Sequence, residues 1–182
     1  IQTTTGKVQF VRKRNGISDT ATATSALTAG AWSHVAVVYD GANILLYVNK
    51  VLEATVPSSQ NIIASTNDLM IGAESGATNR FKGLLDELRI WGSIRSADEI
   101  ETYADVQLQS LPTALSFYLP FNEYGQGIYE YVGRTWYAAS GGATHAAQSA
   151  VTWDRASLEL GDGDYADTGW MNARITGETI LP

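Results

Sequence analysis

Between Gly30 and Ile100, short apolar runs alternate with turn-forming residues, an order that restricts the chain to a sheet-built fold more than any other feature. The stretch runs Gly30-Ala31-Trp32-Ser33-His34-Val35-Ala36-Val37-Val38-Tyr39-Asp40-Gly41, then Ile44-Leu45-Leu46-Tyr47-Val48-Asn49. Leu69-Met70-Ile71-Gly72 follows, and then Phe81-Lys82-Gly83-Leu84-Leu85-Asp86-Glu87-Leu88-Arg89-Ile90-Trp91. Successive strand side chains point to opposite faces, so Val35, Val37 and Tyr39 share one face while His34, Ala36 and Val38 share the other. Asp40-Gly41 predicts a turn and Ile44 to Val48 its partner strand. Residues 57–68 and 72–79 read as loops, Leu69 to Ile71 as a short buried strand, and Leu84 to Trp91 as the longest strand. Upstream, residues 7–14 alternate around Val8, Phe10 and Arg12. They turn at Asn15-Gly16, a hairpin signal, into a Thr/Ala/Ser-rich edge strand over 17–28. Ser96 with Glu99 has capping-box spacing, which predicts one helix over 97–104 with Ile100 and Tyr103 facing the sheet.

The Trp-x-His strand, the Asp-Gly turn, the Leu-Tyr-Val-Asn strand and Gly83-Leu84-Leu85-Asp86-Glu87-Leu88-Arg89-Ile90-Trp91 resemble, in order and spacing, the laminin-G-like, concanavalin A-like lectin/glucanase superfamily. The resemblance implies an all-β, antiparallel jelly-roll β-sandwich with Greek-key connections. A second piece is also similar to that family. Ala114-Leu115-Ser116-Phe117-Tyr118-Leu119-Pro120-Phe121-Asn122-Glu123 resembles the strand that opens such a domain, and Leu158-Glu159-Leu160-Gly161-Asp162-Gly163-Asp164-Tyr165 the next strand and turn. The closing half of the pattern therefore precedes the opening half. Residues 1–105 read as the closing half, 106–113 as a linker and 114–182 as the opening half. Three arrangements fit this order: one circularly permuted domain, the end of one repeat joined to the start of the next, and halves completed by neighbouring molecules. An incomplete sandwich leaves strand edges and an apolar face bare, which invites pairing with another chain.

The balance of Asp and Glu over Lys and Arg gives a formal charge of −7, which disfavours nucleic acid, a ligand that needs clustered Lys and Arg. The one basic cluster, Arg12-Lys13-Arg14, reads as a solvated hairpin end or a small patch for anionic glycan. With no cysteine, disulfides and Cys-ligated metals are excluded. No apolar run is long enough to span a membrane, and no signal peptide is visible. The chain opens at Ile1 rather than Met and is expected to be a processed product or a piece of a longer one.

Asp86 shares its predicted strand face with Leu84, Leu88 and Ile90. A carboxylate on an apolar stripe needs donors or a cation, so Asp86 is either hydrogen-bonded to backbone N–H groups or a calcium ligand. Asp162 and Asp164 flank Gly163, where a tight turn can bring two carboxylates to one cation; simple turn chemistry is the other reading. These three aspartates are the candidate metal ligands, with calcium as the expected structural ion. Glu87 and Arg89 are predicted to form a structural ion pair. A retaining glycosidase needs two carboxylates on one face, about 5–5.5 Å apart. Asp86 and Glu87 are adjacent, and position 89 is Arg, so no such pair forms there. His34 reads as a packed sheet residue and His145 as a loop residue, with no triad or zinc motif near either. Tyr124, Tyr129, Tyr131, Trp136 and Tyr137 are the candidate ligand-binding residues, because flat rings with polar rims suit sugars, protein interfaces or the core.

The expected function is a non-enzymatic, extracellular or cell-surface binding and adhesion module, with glycan as first-choice ligand on the strength of the resemblance. The alternative is a structural repeat of a filament, sheath or surface layer that assembles with copies of itself by completing sheets between neighbouring chains.

Overall fold

The computed structural model describes residues 5–14, 16–59, 62, 69–73, 80–121, 128–137, 139–140, 144–147, 156–160, 165–166 and 174–176, with the backbone alone for Trp136 and for those beyond Tyr137. The first strands, β1 (Lys7–Arg14) and β2 (Ile17–Ala26), pair as an antiparallel hairpin in which Arg14 opposes Ile17. That register leaves a two-residue connection, and Gly16 supplies the positive φ of 80° that such a turn requires. β3 (Ser33–Tyr39) and β4 (Asn43–Val48) follow as a second antiparallel pair. The Asp40 carboxylate closes their turn by accepting from the Ala42 and Asn43 N–H groups at 2.8 and 2.6 Å. These two bonds hold its pKa below the usual carboxylate value.

Past Val48 the chain turns again through Asn49 and Lys50, both at positive φ (49° and 73°), into β5 (Val51–Pro57). Lysine is an unusual residue for this mirror-image turn, so nothing in the local sequence announces the strand. Ile71, buried, makes a single bridge where a short strand over 69–71 is expected.

The longest strand is β2, with ten residues, and the strand expected over 84–91 is two strands. β6 (Gly83–Asp86) and β7 (Leu88–Trp91) are separated by Glu87 at φ 54°. A left-handed residue cannot continue a pleated strand, and the chain changes sheets there. β6 joins a seven-stranded sheet, and β7 pairs with β8 (Leu115–Leu119), Leu88 opposite Leu119. The break also cancels the alternation expected across it. Leu85 and Leu88, three apart, enter the same core cluster, and Asp86, Glu87 and Arg89 are all buried.

Helix α1 (Ala97–Tyr103) begins on the expected capping box. Ser96 Oγ accepts from the Glu99 N–H at 3.2 Å, and the Glu99 carboxylate accepts from the Ser96 N–H at 2.8 Å. Ile100 then packs on Ala36, Val38 and Tyr47, the β3–β4 face turned away from the main core. That is the face the alternation assigned to Ala36 and Val38.

The remaining strands are β9 (Ile128–Glu130), β10 (Thr135–Tyr137), β11 (Ala139–Ser140), β12 (Thr144–Ala147), β13 (Ala156–Leu160), β14 (Tyr165–Ala166) and β15 (Arg174–Thr176). The large sheet has the order β12-β13-β6-β15-β3-β4-β5, and every pairing in it is antiparallel. The result is a β-sandwich whose main core joins Val8, Val35, Ile44 and Leu85 to Leu119, Phe121 and Ile128. Leu119 is fully enclosed in a core otherwise built largely by residues before 105. Leu119→Ala is expected to lower stability by about 2–5 kcal/mol within one cooperative urea transition; two separable transitions would show that the halves do not share this core.

Candidate functional site

Two buried glutamates frame Tyr118 on β8. The strained turn at Glu87 points its carboxylate inward, where it accepts from the Tyr118 hydroxyl at 2.8 and 3.0 Å and pairs with the Arg89 guanidinium. Arg89 also donates to the Tyr103 carbonyl at 2.7 Å and to the Val106 carbonyl. One side chain of β7 thereby ties together the Glu87 corner, the end of α1 and the start of the 106–113 segment. Burial, then the Glu87 charge, push the Tyr118 hydroxyl above its ordinary pKa. The predicted Glu87–Arg89 ion pair is present.

Glu130, at the end of β9, accepts from the Tyr118 and Val132 N–H groups, each at 2.8 Å, and from the Gly133 N–H. It folds the β9–β10 turn back onto β8. The sequence reading missed Glu130, because an acid beside Tyr129 and Tyr131 looks exposed until its three backbone donors are seen.

The arrangement bears on catalysis. Glycoside hydrolysis needs two carboxylates facing a substrate. Glu87 and Glu130 instead face Tyr118 and backbone N–H groups, and both side chains are enclosed.

Of the candidate ligand-binding aromatics, Tyr129 and Tyr131 come together, their rings edge to face with centroids 4.9 Å apart. Tyr131 is 37% exposed and also leans on Tyr118 at 5.8 Å. The β9–β10 register sets Trp136 opposite Tyr129. Tyr137 packs against the main core instead, and Tyr124 lies outside the described residues.

Asp86 is fully buried at the end of β6. β13 leaves the sheet at Leu160 opposite Gly83, the other end of that strand. Asp162 and Asp164 lie outside the described residues, and among the described residues no group of three or more acidic or histidine side chains is arranged to hold a metal ion. His34 sits within β3. Its backbone exchanges bonds with Asn49, donating to Oδ1 at 2.9 Å and accepting from the N–H at 2.8 Å. Its side chain lines a shallow cleft under α1, where Arg95 stacks on Trp91 at 4.1 Å and pairs with Glu99 at 2.7 Å. His145 falls on β12 rather than in a loop.

The basic cluster is largely engaged. Arg12 lies over the Tyr39 ring at 4.2 Å and donates to Ser58 Oγ at 2.7 Å, while Arg14 pairs with Asp19 at 3.1 Å. Hydrogen bonds from Ser58 and then Arg14 hold the Asp19 carboxyl below its usual value.

Breaking a buried ion pair from one side typically costs about 3–5 kcal/mol, and Glu87→Gln is expected to lose that much in urea denaturation. A loss under about 1 kcal/mol, the scale of one ordinary hydrogen bond, would mean that Arg89 is held by the carbonyls alone.

The laminin-G-like family model described as the concanavalin A-like lectin/glucanases superfamily matches residues 2–101, more than half of the chain. No curated protein and no solved structure gives a significant match.

Proposed function

The chain belongs to the concanavalin A-like lectin/glucanases superfamily, and from that premise we propose a non-enzymatic binding and adhesion module that works outside the cell or at its surface, with carbohydrate as its first ligand. The observation that carries the reading is the Tyr129–Tyr131 pair, with Tyr131 exposed on a turn that Glu130 fixes from beneath. A ring held in place loses little conformational entropy on binding, and its apolar face with a polar edge suits a sugar ring. Trp136, next to Tyr129 in register, and Tyr124 complete the proposed platform. Tyr137 supports it from the core side. Glu87 and Glu130, engaged and enclosed, favour binding without turnover. No helix among the described residues is long and apolar enough to cross a membrane.

Affinity electrophoresis against a panel of polysaccharides tests this. Retention by at least one is expected. Tyr131→Ala should weaken it about tenfold, equivalent to about 1.4 kcal/mol, while the exposed Ile94→Ala leaves it unchanged. Absence of retention, or equal retention by Tyr131→Ala, would sink the platform. Steady release of reducing ends, lost in Glu87→Gln, would overturn the non-enzymatic reading.

We further propose a structural calcium ion on Asp162 and Asp164. An ion bound only by the folded chain raises its melting temperature, so calcium should stabilise the wild type relative to chelator, and the paired change Asp162→Asn with Asp164→Asn should remove the effect. Asp86 stands at the opposite end of β6 from the exit of β13. Asp86→Asn is therefore expected to lower the melting temperature while keeping the calcium response. Identical wild-type curves in calcium and chelator would dispose of the ion.

One observation favours the second reading, a unit that assembles with copies of itself. β15, one of three strands from beyond residue 114 in the large sheet, lies between β3 and β6, and the same segment of another copy would present the same pairs to them.

A further inference from the structure

The strands β3 and β6 are neighbours in the sheet only through β15. Arg174 is in register with His34 on one side and Asp86 on the other, and Ile175 with Ser33 and Leu85. Adjacent strands lie about 4.7–4.9 Å apart, so β3 and β6 stand two spacings apart and cannot bond each other across the gap. Without β15, residues before 105 would present a slot one strand wide with a ladder edge on each wall. Ser33, Leu85 and Asp86, which line those walls, are all buried. An empty slot would strand their backbone donors and acceptors, a cost that proteins avoid.

The filling strand is short. β15 makes two register pairs with β3 and three with β6. Ladder bonds recognise an extended backbone, and the same segment of another molecule presents the same pairs. Pairing energy therefore cancels between filling from within and filling from a second copy. What decides is the effective concentration of the chain's own segment against that of its neighbours. Chain order adds a direction: the donor, residues 174–176, lies far along the sequence from both walls of the acceptor. A donor that enters the next copy's slot makes a head-to-tail contact, which generates rings or open filaments.

We propose that the slot between β3 and β6 is a strand-acceptor site, and that it takes residues 174–176 of a second copy of this chain in place of its own. The inference rests on the assembly reading above and supplies its contact; the glycan reading is independent of it.

The absence of cysteine makes a direct test possible. Full-length Ser33→Cys and Ile175→Cys chains are mixed, refolded together and oxidised. A disulfide-linked dimer is expected to rise with chain concentration, to at least about tenfold that of an Ile62→Cys and Ile175→Cys mixture; Ile62 is 74% exposed. A chain carrying both Ser33→Cys and Ile175→Cys should, when dilute, close on itself. Internal closure with no dimer above control overturns the exchange. Neither product overturns the slot itself. If Ser33→Cys prevents folding, Leu85→Cys reads the other wall against the same Ile175→Cys chain. Light scattering of the wild type separates this inference from the reading beneath it. Oligomers without the cross-link would sink the slot and leave assembly standing, and a monomer at every concentration would sink both.

Discussion

Glu87 is the corner on which the sandwich turns. Its left-handed backbone ends β6 and starts β7 in a different sheet, and that change of sheet closes the sandwich around one core. Non-glycine residues in this region of φ/ψ cost of order 1–3 kcal/mol and persist only where the surroundings over-determine them. Here the surroundings are the Arg89 guanidinium and the Tyr118 hydroxyl, which meet the Glu87 carboxylate inside the core. An ion pair this deep contributes little net stability compared with apolar packing. Its value lies in selecting one geometry, because an inward Glu87 without Arg89 would be a bare buried charge.

The same cluster joins parts of the chain that are far apart in sequence. Arg89 holds the carbonyls of Tyr103 and Val106, so the chain leaves the helix in a fixed place. Tyr118 brings β8 onto β7, and Glu130 folds the aromatic turn onto Tyr118. Tyr131, whose N–H donates to the Tyr118 carbonyl at 3.0 Å, is thus two bonded contacts from the strand break. Rigidity passes from the core outward, which suits a surface that binds without rearranging.

Two features pull in different directions. The β7–β8 pairing and the shared core join residues beyond 114 to residues before 105 through buried contacts. The β15 insertion joins them through a few ladder bonds in the middle of a sheet. Under the proposed exchange such a fold keeps its core while β15, held by two register pairs on one side and three on the other, changes owner. The proposed binding and the proposed assembly are compatible, since the aromatic turn on β9–β10 and the slot between β3 and β6 belong to different sheets.

The local pattern alone determined the sheet-built class, the β1–β2 and β3–β4 hairpins, the two faces of β3 and the capped helix, because alternation, Asn-Gly and Asp-Gly turns and Ser-x-x-Glu caps act over a few residues. It also supplied the Glu87–Arg89 pair from their two-residue spacing. Other features were decided only by tertiary structure. Glu87 takes a positive φ because Tyr118, 31 residues along the chain, waits inside with Arg89 to meet its carboxylate, a cause that no local rule contains. β5 follows an Asn-Lys turn without a sequence signal and is fixed by pairing with β4. Glu130 became an anchor because three backbone N–H groups converge on it. β15 lies between β3 and β6 because two distant edges needed the same strand, and edges that meet only in three dimensions leave no mark in the order of residues.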